Sequence, residues 1–410
     1  MSVRALATGM PEGWCLERLG ILCTKIGSGL TPRGGQSAYV DEGIPLIRSQ
    51  NVLVGRMDLS DVVFITHEQH AAMSGTYVKP GDVLLNITGA SIGRSCTVPM
   101  DVPEANVNQH VCIIRPNRRH LLSGYLGHFL NSDQGQQRIW SYQAGGNRQG
   151  LNFGQISAFR IPLPPLPEQR RIAEILGTWD EAIALVERRI DAARRRKQGL
   201  MQRLLTGRVR FPGFQGAWKE VRLGEVAEIN REQVSESNNP GEQYRYIELS
   251  AVNQGTIDMP TEPIPFGELP SRARRMLHRG DIIMSTVRPN LLGFGFCDFE
   301  ADHILCSTGF ALLTPRTPSD LDYLYQLLYS DGIMRQIHGR VTGSNYPALN
   351  ASDVVSLKLP WPENGRERAS IGRILRHCDD ELDLLTRKLA ALQRQKKGLM
   401  QRLLTGRVRV

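Results

Sequence analysis

Residues taken alternately three and four apart from Ile172 are Ile172, Leu176, Trp179, Ile183, Val186, Ile190, Ala193, Lys197, Leu200 and Leu204, nine of them apolar. The same register from Ile371 gives Ile371, Leu375, Cys378, Leu382, Leu385, Leu389, Leu392, Lys396, Leu399 and Leu403, again nine apolar, with lysine at the matching place. An apolar repeat sustained over this length predicts a helix that buries one seam in a coiled coil. Pro167 and Glu168 suit the first turn of the first helix. Gly207 and Gly406 stand where C-terminal caps belong. A helix from about Pro167 to Leu205 would be roughly 57 Å long at about 1.5 Å per residue. Each helix most simply pairs with the other; the alternative is packing on its own module. Lys197 and Lys396 have two readings, fixing the register of the seam or snorkelling out to solvent. Off the seam, Ile175, Leu185, Met201 and Leu205 are apolar, as are their counterparts Ile374, Leu384, Met400 and Leu404. That surface can rest on the modules or receive helices of another protein, and its repetition in both copies favours a partner.

Each helical segment closes with the same twelve residues, GLMQRLLTGRVR, at Gly199–Arg210 and Gly398–Arg409. An internal repeat at an offset of 199 residues divides the chain into two copies of one arrangement. Trp14 begins WCLERLGIL and Trp218 begins WKEVRLGEV; Lys79-Pro80-Gly81-Asp82 answers His278-Arg279-Gly280-Asp281. Arg115-Pro116 falls opposite Thr314-Pro315, Leu151-Asn152 opposite Leu349-Asn350, and Ile161-Pro162 opposite Leu359-Pro360. Within the first module, short β-like runs at 44–47, 61–66, 82–87 and 111–115 are broken by glycine and proline, and 121–143 reads as helix. The fold class is therefore α+β, two pseudo-repeated mixed α/β modules joined by two long helices. The boundaries are residues 1–165 for the first module, 166–206 for its helix, 207–362 for the second module and 363–410 for the second helix. Pro360-Trp361-Pro362-Glu363-Asn364-Gly365 departs from the first junction, and Gly365 should weaken the first turn of the second helix. Shared anchors with divergent loops suggest two modules reading different versions of one kind of ligand.

A net charge of +9 favours a polyanionic partner such as nucleic acid. Seven cysteines without a C-x-x-C pair argue against a disulfide framework or a structural zinc site. No secretory h-region and no run of 18 apolar residues is present, so a cytoplasmic protein without membrane contact is expected. Catalytic signatures are missing: no Gly-Lys dipeptide for a Walker A loop, no G-x-S-x-G, no H-E-x-x-H and no amino-methyltransferase tetrapeptide. No metal site, no bound cofactor and no catalytic residue is expected in this chain.

Loops that combine glycine with Arg, Asn, Gln, Ser or Thr are the candidates for base and phosphate contacts, because Arg, Asn and Gln can bond bidentately to guanine or adenine edges. In the first module these are Arg33, Arg48, Gln50, Thr88, Ser91, Arg94, Asn147 and Arg148. In the second they are Arg272, Arg274, Arg275, Arg288, Asn290, Ser344, Asn345 and Tyr346. Arg148 and Asn345 stand out, since both loops directly precede the matched Leu-Asn anchor.

A variable module, then PLPPLPEQRRIAEIL opening a long helix that ends GLMQRLLTG, then the whole arrangement again, resembles the specificity subunit of type I restriction–modification systems. The resemblance covers nearly the whole chain. It implies two target recognition domains that read the halves of a bipartite site in double-stranded DNA, and two helices paired antiparallel that set the unread spacer. A 57 Å coil matches roughly 17 base pairs at about 3.4 Å each. It further implies two modification subunits that methylate adenine at N6, with S-adenosylmethionine and ATP held on partner subunits, restriction subunits among them. The expected role is a non-catalytic reader of DNA sequence and assembly scaffold. The alternative is a coiled-coil adaptor between proteins that does not read DNA.

Overall fold

The structure, a computed structural model, describes residues 10–143, 150–235, 239–341 and 347–410. It comprises two compact units, one containing residues up to Arg188 together with Arg387–Val410, the other Arg189–Thr386. The long helices run over Leu166–Leu204 and Gly365–Leu403. Each unit thus holds one module, the start of one long helix and the end of the other.

In the first unit a four-stranded antiparallel sheet runs in the order Cys23–Ser28, Val111–Pro116, Val83–Asn86, Ser95–Thr97. Val83–Asn86 is buried at all four positions because both sheet faces are covered. Strand alternation sends Val83 and Leu85 into a core with Leu126, Phe129, Ile172 and Leu176, and Leu84 into another with Val107, Val111 and Ile113. Ile44–Ile47 pairs antiparallel with Val63–Ile65 and parallel with Asn106–Val107. Helices follow at Ser123–Leu130, Asp133–Ser141 and Phe153–Ser157, and Cys15–Arg18 pairs with Arg160–Leu163.

The second unit repeats the plan. Its main sheet runs Ala227–Ile229, Phe310–Pro315, Ile282–Ser285, Phe294–Phe296. Helices lie at Leu321–Leu328, Asp331–Arg340 and Ala351–Val355, and Trp218–Arg222 pairs with Lys358–Pro362.

The repeated sequence anchors are backbone devices. Gly81 and Gly280 take φ of +81° and +88°, and the aspartate after each folds back to accept from the backbone N–H of Lys79 at 2.7 Å or His278 at 2.8 Å. Asn152 and Asn350 open capping boxes with Gln155 and Asp353. Arg115 closes on Asp82 with two bonds, of 2.7 and 2.8 Å. Thr314 Oγ1 donates to Asp281 Oδ1 at 2.6 Å in the corresponding place.

Within the first unit the helix ends run in opposite senses, Glu168 meeting Arg409 and Asp180 meeting Lys396. The second unit does the same, with Glu367 meeting Arg210, Asp379 meeting Lys197 at 2.5 Å, and Glu381 meeting Arg196. The alternative of packing on a module also holds, because one core contains module and helix residues together. Seam residues Ile172, Leu176, Val186, Ile190, Leu204, Ile371, Leu375 and Leu403 are buried. Trp179, Ile183, Leu200, Leu382, Leu385, Leu389 and Leu399 are half-buried.

Three expectations are corrected here. Both seam lysines are largely buried in ion pairs with the opposite helix, so they do not snorkel out to solvent. The off-seam positions rest mainly on the modules: Leu205, Met400 and Leu404 are buried in module cores, and Ile175, Met201 and Ile374 pack against them. Leu185 and Leu384 remain exposed. Gly365 does not delay the second helix, since Asn364 Oδ1 accepts from Arg366 N at 2.9 Å and Arg368 grips Asp320 with bonds of 2.8 and 2.9 Å.

A module residue joins each lysine–aspartate pair. In the second unit Gln326 donates to Asp379 at 2.6 Å; in the first, His128 Nδ1 lies 3.7 Å from Asp180. Burial pushes the His128 imidazole down to about 4, against the pull of Asp180 and with the repulsion of Lys396. The folded state therefore keeps this histidine neutral where the unfolded chain protonates it, below its ordinary value near 6.5. Its contribution is intact above pH 6.5 and is lost as pH falls toward 4, to a limit of about 3 kcal/mol. His128→Gln, which installs the second unit's residue, is expected to flatten the fall in unfolding midpoint between pH 7 and 4.5. Parallel pH profiles for the two proteins would contradict this.

Candidate nucleic-acid interface

Asn147 and Arg148, and Ser344, Asn345 and Tyr346, lie outside the described residues. Gly150 bridges to Thr88, and Ala348 to Val287, so the described flanks of both segments pair with another candidate loop.

In the first unit the candidate loops meet through buried amides. Asn86, at the end of its strand, is buried, and Nδ2 donates to Ser49 O at 2.8 Å, Ser91 Oγ at 3.2 Å and Val52 O at 3.3 Å. This brings the Arg48–Gln50 turn beside the Thr88–Arg94 turn. Asn51, also buried, donates to Asp58 O at 3.0 Å and accepts from the Arg48 backbone N–H at 2.9 Å. Arg48 is half-buried, bonds Asp61 O at 3.1 Å and lies 5.9 Å from the Tyr39 ring centroid. Gln50 is exposed and its amide donates to the Asp61 carboxylate. Thr88 Oγ1 and His110 Nδ1 are 2.6 Å apart. Arg33 and Arg94 are exposed.

In the second unit the candidates flank the Ser307–Gly309 turn. Thr308 N donates to Arg272 O at 2.8 Å and Thr286 N to Gly309 O at 2.9 Å. Arg272, Arg288 and Asn290 are exposed. Arg288 takes φ of +49°, a left-handed backbone that costs a branched-free side chain about 1 kcal/mol or more. The other two arginines are engaged inside the module. Arg274 lies 5.1 Å from the Phe266 ring centroid. Arg275 donates to Asn230 Oδ1, and burial lowers its guanidinium pKa.

Sequence reading placed Asn51 in the Arg48–Asn51 candidate loop without its tethering role, and missed Asp61 and Asn86, which are polar groups without a basic or glycine-rich signature. It also missed the two clamps at the helix ends, whose signal was present. Glu168 and Glu367 stand 199 apart, as do Arg210 and Arg409. Arg210 holds Glu367 with two bonds of 2.7 Å. Arg409 holds Glu168 at 3.1 and 2.8 Å, and Trp14 Nε1 adds a third bond at 3.0 Å. The first-turn acid of the second helix is therefore Glu367, the counterpart of Glu168.

Among the described residues no cluster of His, Cys, Asp or Glu could hold a metal ion, and no helix is long and apolar enough to cross a membrane. Two modules with one main-sheet order and different polar loops, each joined within its own unit to antiparallel helix ends, define a tandem recognition protein. Residues 11–195 and 215–394 each match the family described as the type I restriction modification DNA specificity domain, and the chain belongs to that family. It is a specificity subunit, the component of its system without catalytic chemistry of its own. The putative type I restriction enzyme MjaX specificity subunit of Methanocaldococcus jannaschii is 24% identical over 98% of this chain and 95% of that protein. The EcoKI specificity subunit of Escherichia coli K12 is 25% identical over 70% of this chain and 64% of that one. Among solved structures, a type I S subunit from M. genitalium superposes with a TM-score of 0.63 at 15% identity, covering 98% of both chains. A chain from a type I R-M system studied for its assembly and conformational transition gives 0.54 at 21% identity, covering 98% of this chain and all of that one. These two likenesses speak for the fold.

Proposed function

We propose that this chain reads a bipartite site in duplex DNA, one half with each module, and scaffolds the enzymes that act there. The observation that carries the reading is the pair of modules whose main sheets share one strand order while their polar loops differ. Two half-sites need one scaffold twice and two reading surfaces, which is what the divergence between Arg48–Gln50 and Glu248–Ser250 supplies. The helices pair antiparallel along their full seam and set the unread spacer. Two N6-adenine methyltransferase subunits bind the chain, and the exposed Leu185 and Leu384 mark where they dock. S-adenosylmethionine sits on those subunits and ATP on restriction subunits that join them, all in the cytoplasm.

Titrating the chain with its partner methylase over random duplex DNA separates this from an adaptor that does not read DNA. A bound fraction enriched in two specified blocks with an unspecified gap is expected. Binding without any sequence preference would sink the reading.

A further inference from the structure

The first unit locks three loops of its candidate face into one platform, and the second unit does not use the same lock. Asn51, 2% exposed, ties the Arg48–Asn51 turn to the Asp58–Asp61 loop by donating to Asp58 O and, at 3.3 Å, to Asp61 O. Asn86, fully buried, ties the same turn to Thr88–Arg94 through Ser49 O, Val52 O and Ser91 Oγ. The backbone of Asn86 completes the weld, bonding Arg94 O and Gly93 N at 2.9 Å each. In the second unit the corresponding turn bonds the same way, Asp258 N to Ala251 O as Asp58 N to Asn51 O, yet alanine stands in place of Asn51. Ser285 stands in place of Asn86, and its hydroxyl donates to Val287 O, within its own turn.

On this platform Asp61 engages both candidate readers. Its carboxylate accepts from the Gln50 amide, its carbonyl accepts from Arg48 Nη2 at 3.1 Å, and its Oδ2 lies 3.9 Å from that nitrogen. Arg48 is 21% exposed at the side chain and Asp61 82%. A solvated acid on a surface that faces a polyanion is unfavourable for binding as such. Its gain is geometric, because an arginine or glutamine distinguishes bases only when held in a fixed fork.

We propose that Asn51, Asn86 and Asp61 are positioning residues for one half-site, holding Arg48 and Gln50 as a prearranged pair that discriminates between bases. This rests on the DNA-reading function above. The chain with its partner methylase, as wild type, Asn86→Ser and Asp61→Ala, selects sites from random duplex DNA, and salt dependence of binding is measured alongside. Asn86→Ser takes the residue that the second module already carries there. Both variants are expected to lose about tenfold in discrimination at one half-site, with the other half-site and the salt slope unchanged. Asp61→Ala should hold or raise total affinity, since it removes an anion. Asp61 is on the surface, so if Asn86→Ser fails to fold, Asp61→Ala decides. A wild-type motif that the folded variants leave intact, or an equal loss at both halves, overturns the positioning role alone. A wild-type complex that selects no motif overturns the DNA-reading function and this proposal with it.

Discussion

Arg210→Ala is expected to lower the unfolding midpoint of the second unit by several degrees. The Glu367 side chain is only 1% exposed, so removing its guanidinium leaves a carboxylate without water or a counter-charge. A buried charge stripped of its partner costs more than the pair contributed. Glu367→Gln combined with Arg210→Ala should therefore cost less than Arg210→Ala alone. Arg409→Ala should cost about half as much, since Glu168 keeps the Trp14 N–H and Arg409 is the more exposed arginine. Arg409, with help from Trp14 and against burial, holds the Glu168 carboxyl below its usual range. Its contribution is thus present above the usual carboxylate range and is lost as pH falls through it. Differential scanning calorimetry of the variants measures each effect; equal midpoints for wild type and Arg210→Ala would refute the clamp.

Asp82→Ala should destabilise the first unit by about 3 kcal/mol, and Asp281→Ala the second by about 1–2 kcal/mol. Both aspartates are 1% exposed and cap the same turn. Their partners differ. Losing Asp82 strands the half-buried Arg115 guanidinium, which keeps only Tyr77 O at 3.0 Å. Losing Asp281 takes the hydrogen bond from the neutral Thr314 hydroxyl and leaves no guanidinium stranded, with only the His278 ring 3.7 Å from the lost carboxylate. Urea titration should show the larger drop for Asp82→Ala; the reverse order would mean that the turn cap, not the ion pair, carries the stability.

The scaffold was legible because its signals are periodic or repeated. A seam every 3.5 residues specified both long helices, and anchors such as Gly81-Asp82 and Leu151-Asn152 are turns and caps whose geometry depends on residue type. The second junction misled because Gly365 looked like a weak helix start, while the features that hold that start, the Asn364 cap and the buried Glu367 at the offset of 199, were not weighed. The off-seam methionines misled for another reason. Periodicity says that a position is apolar but not what covers it, and Met400, on the second helix, is covered by the first module. The reading face was legible only in part. Arg48 and Gln50 carry the right chemistry in the sequence, but their orientation depends on Asn51, Asn86 and Asp61, which look like ordinary loop polars until the chain folds. Arg275 shows the converse, a basic residue whose donors are turned inward to Asn230.

Sequencing modified bases in cells that carry the partner methylase, with and without this chain, tests the central claim most directly. The account predicts methylated adenines confined to a motif of two specified blocks around a fixed unspecified gap, present only with the chain. Exchanging residues 11–165 for those of a relative should change one block and leave the other. A single contiguous motif, or methylation indifferent to the chain, would contradict it.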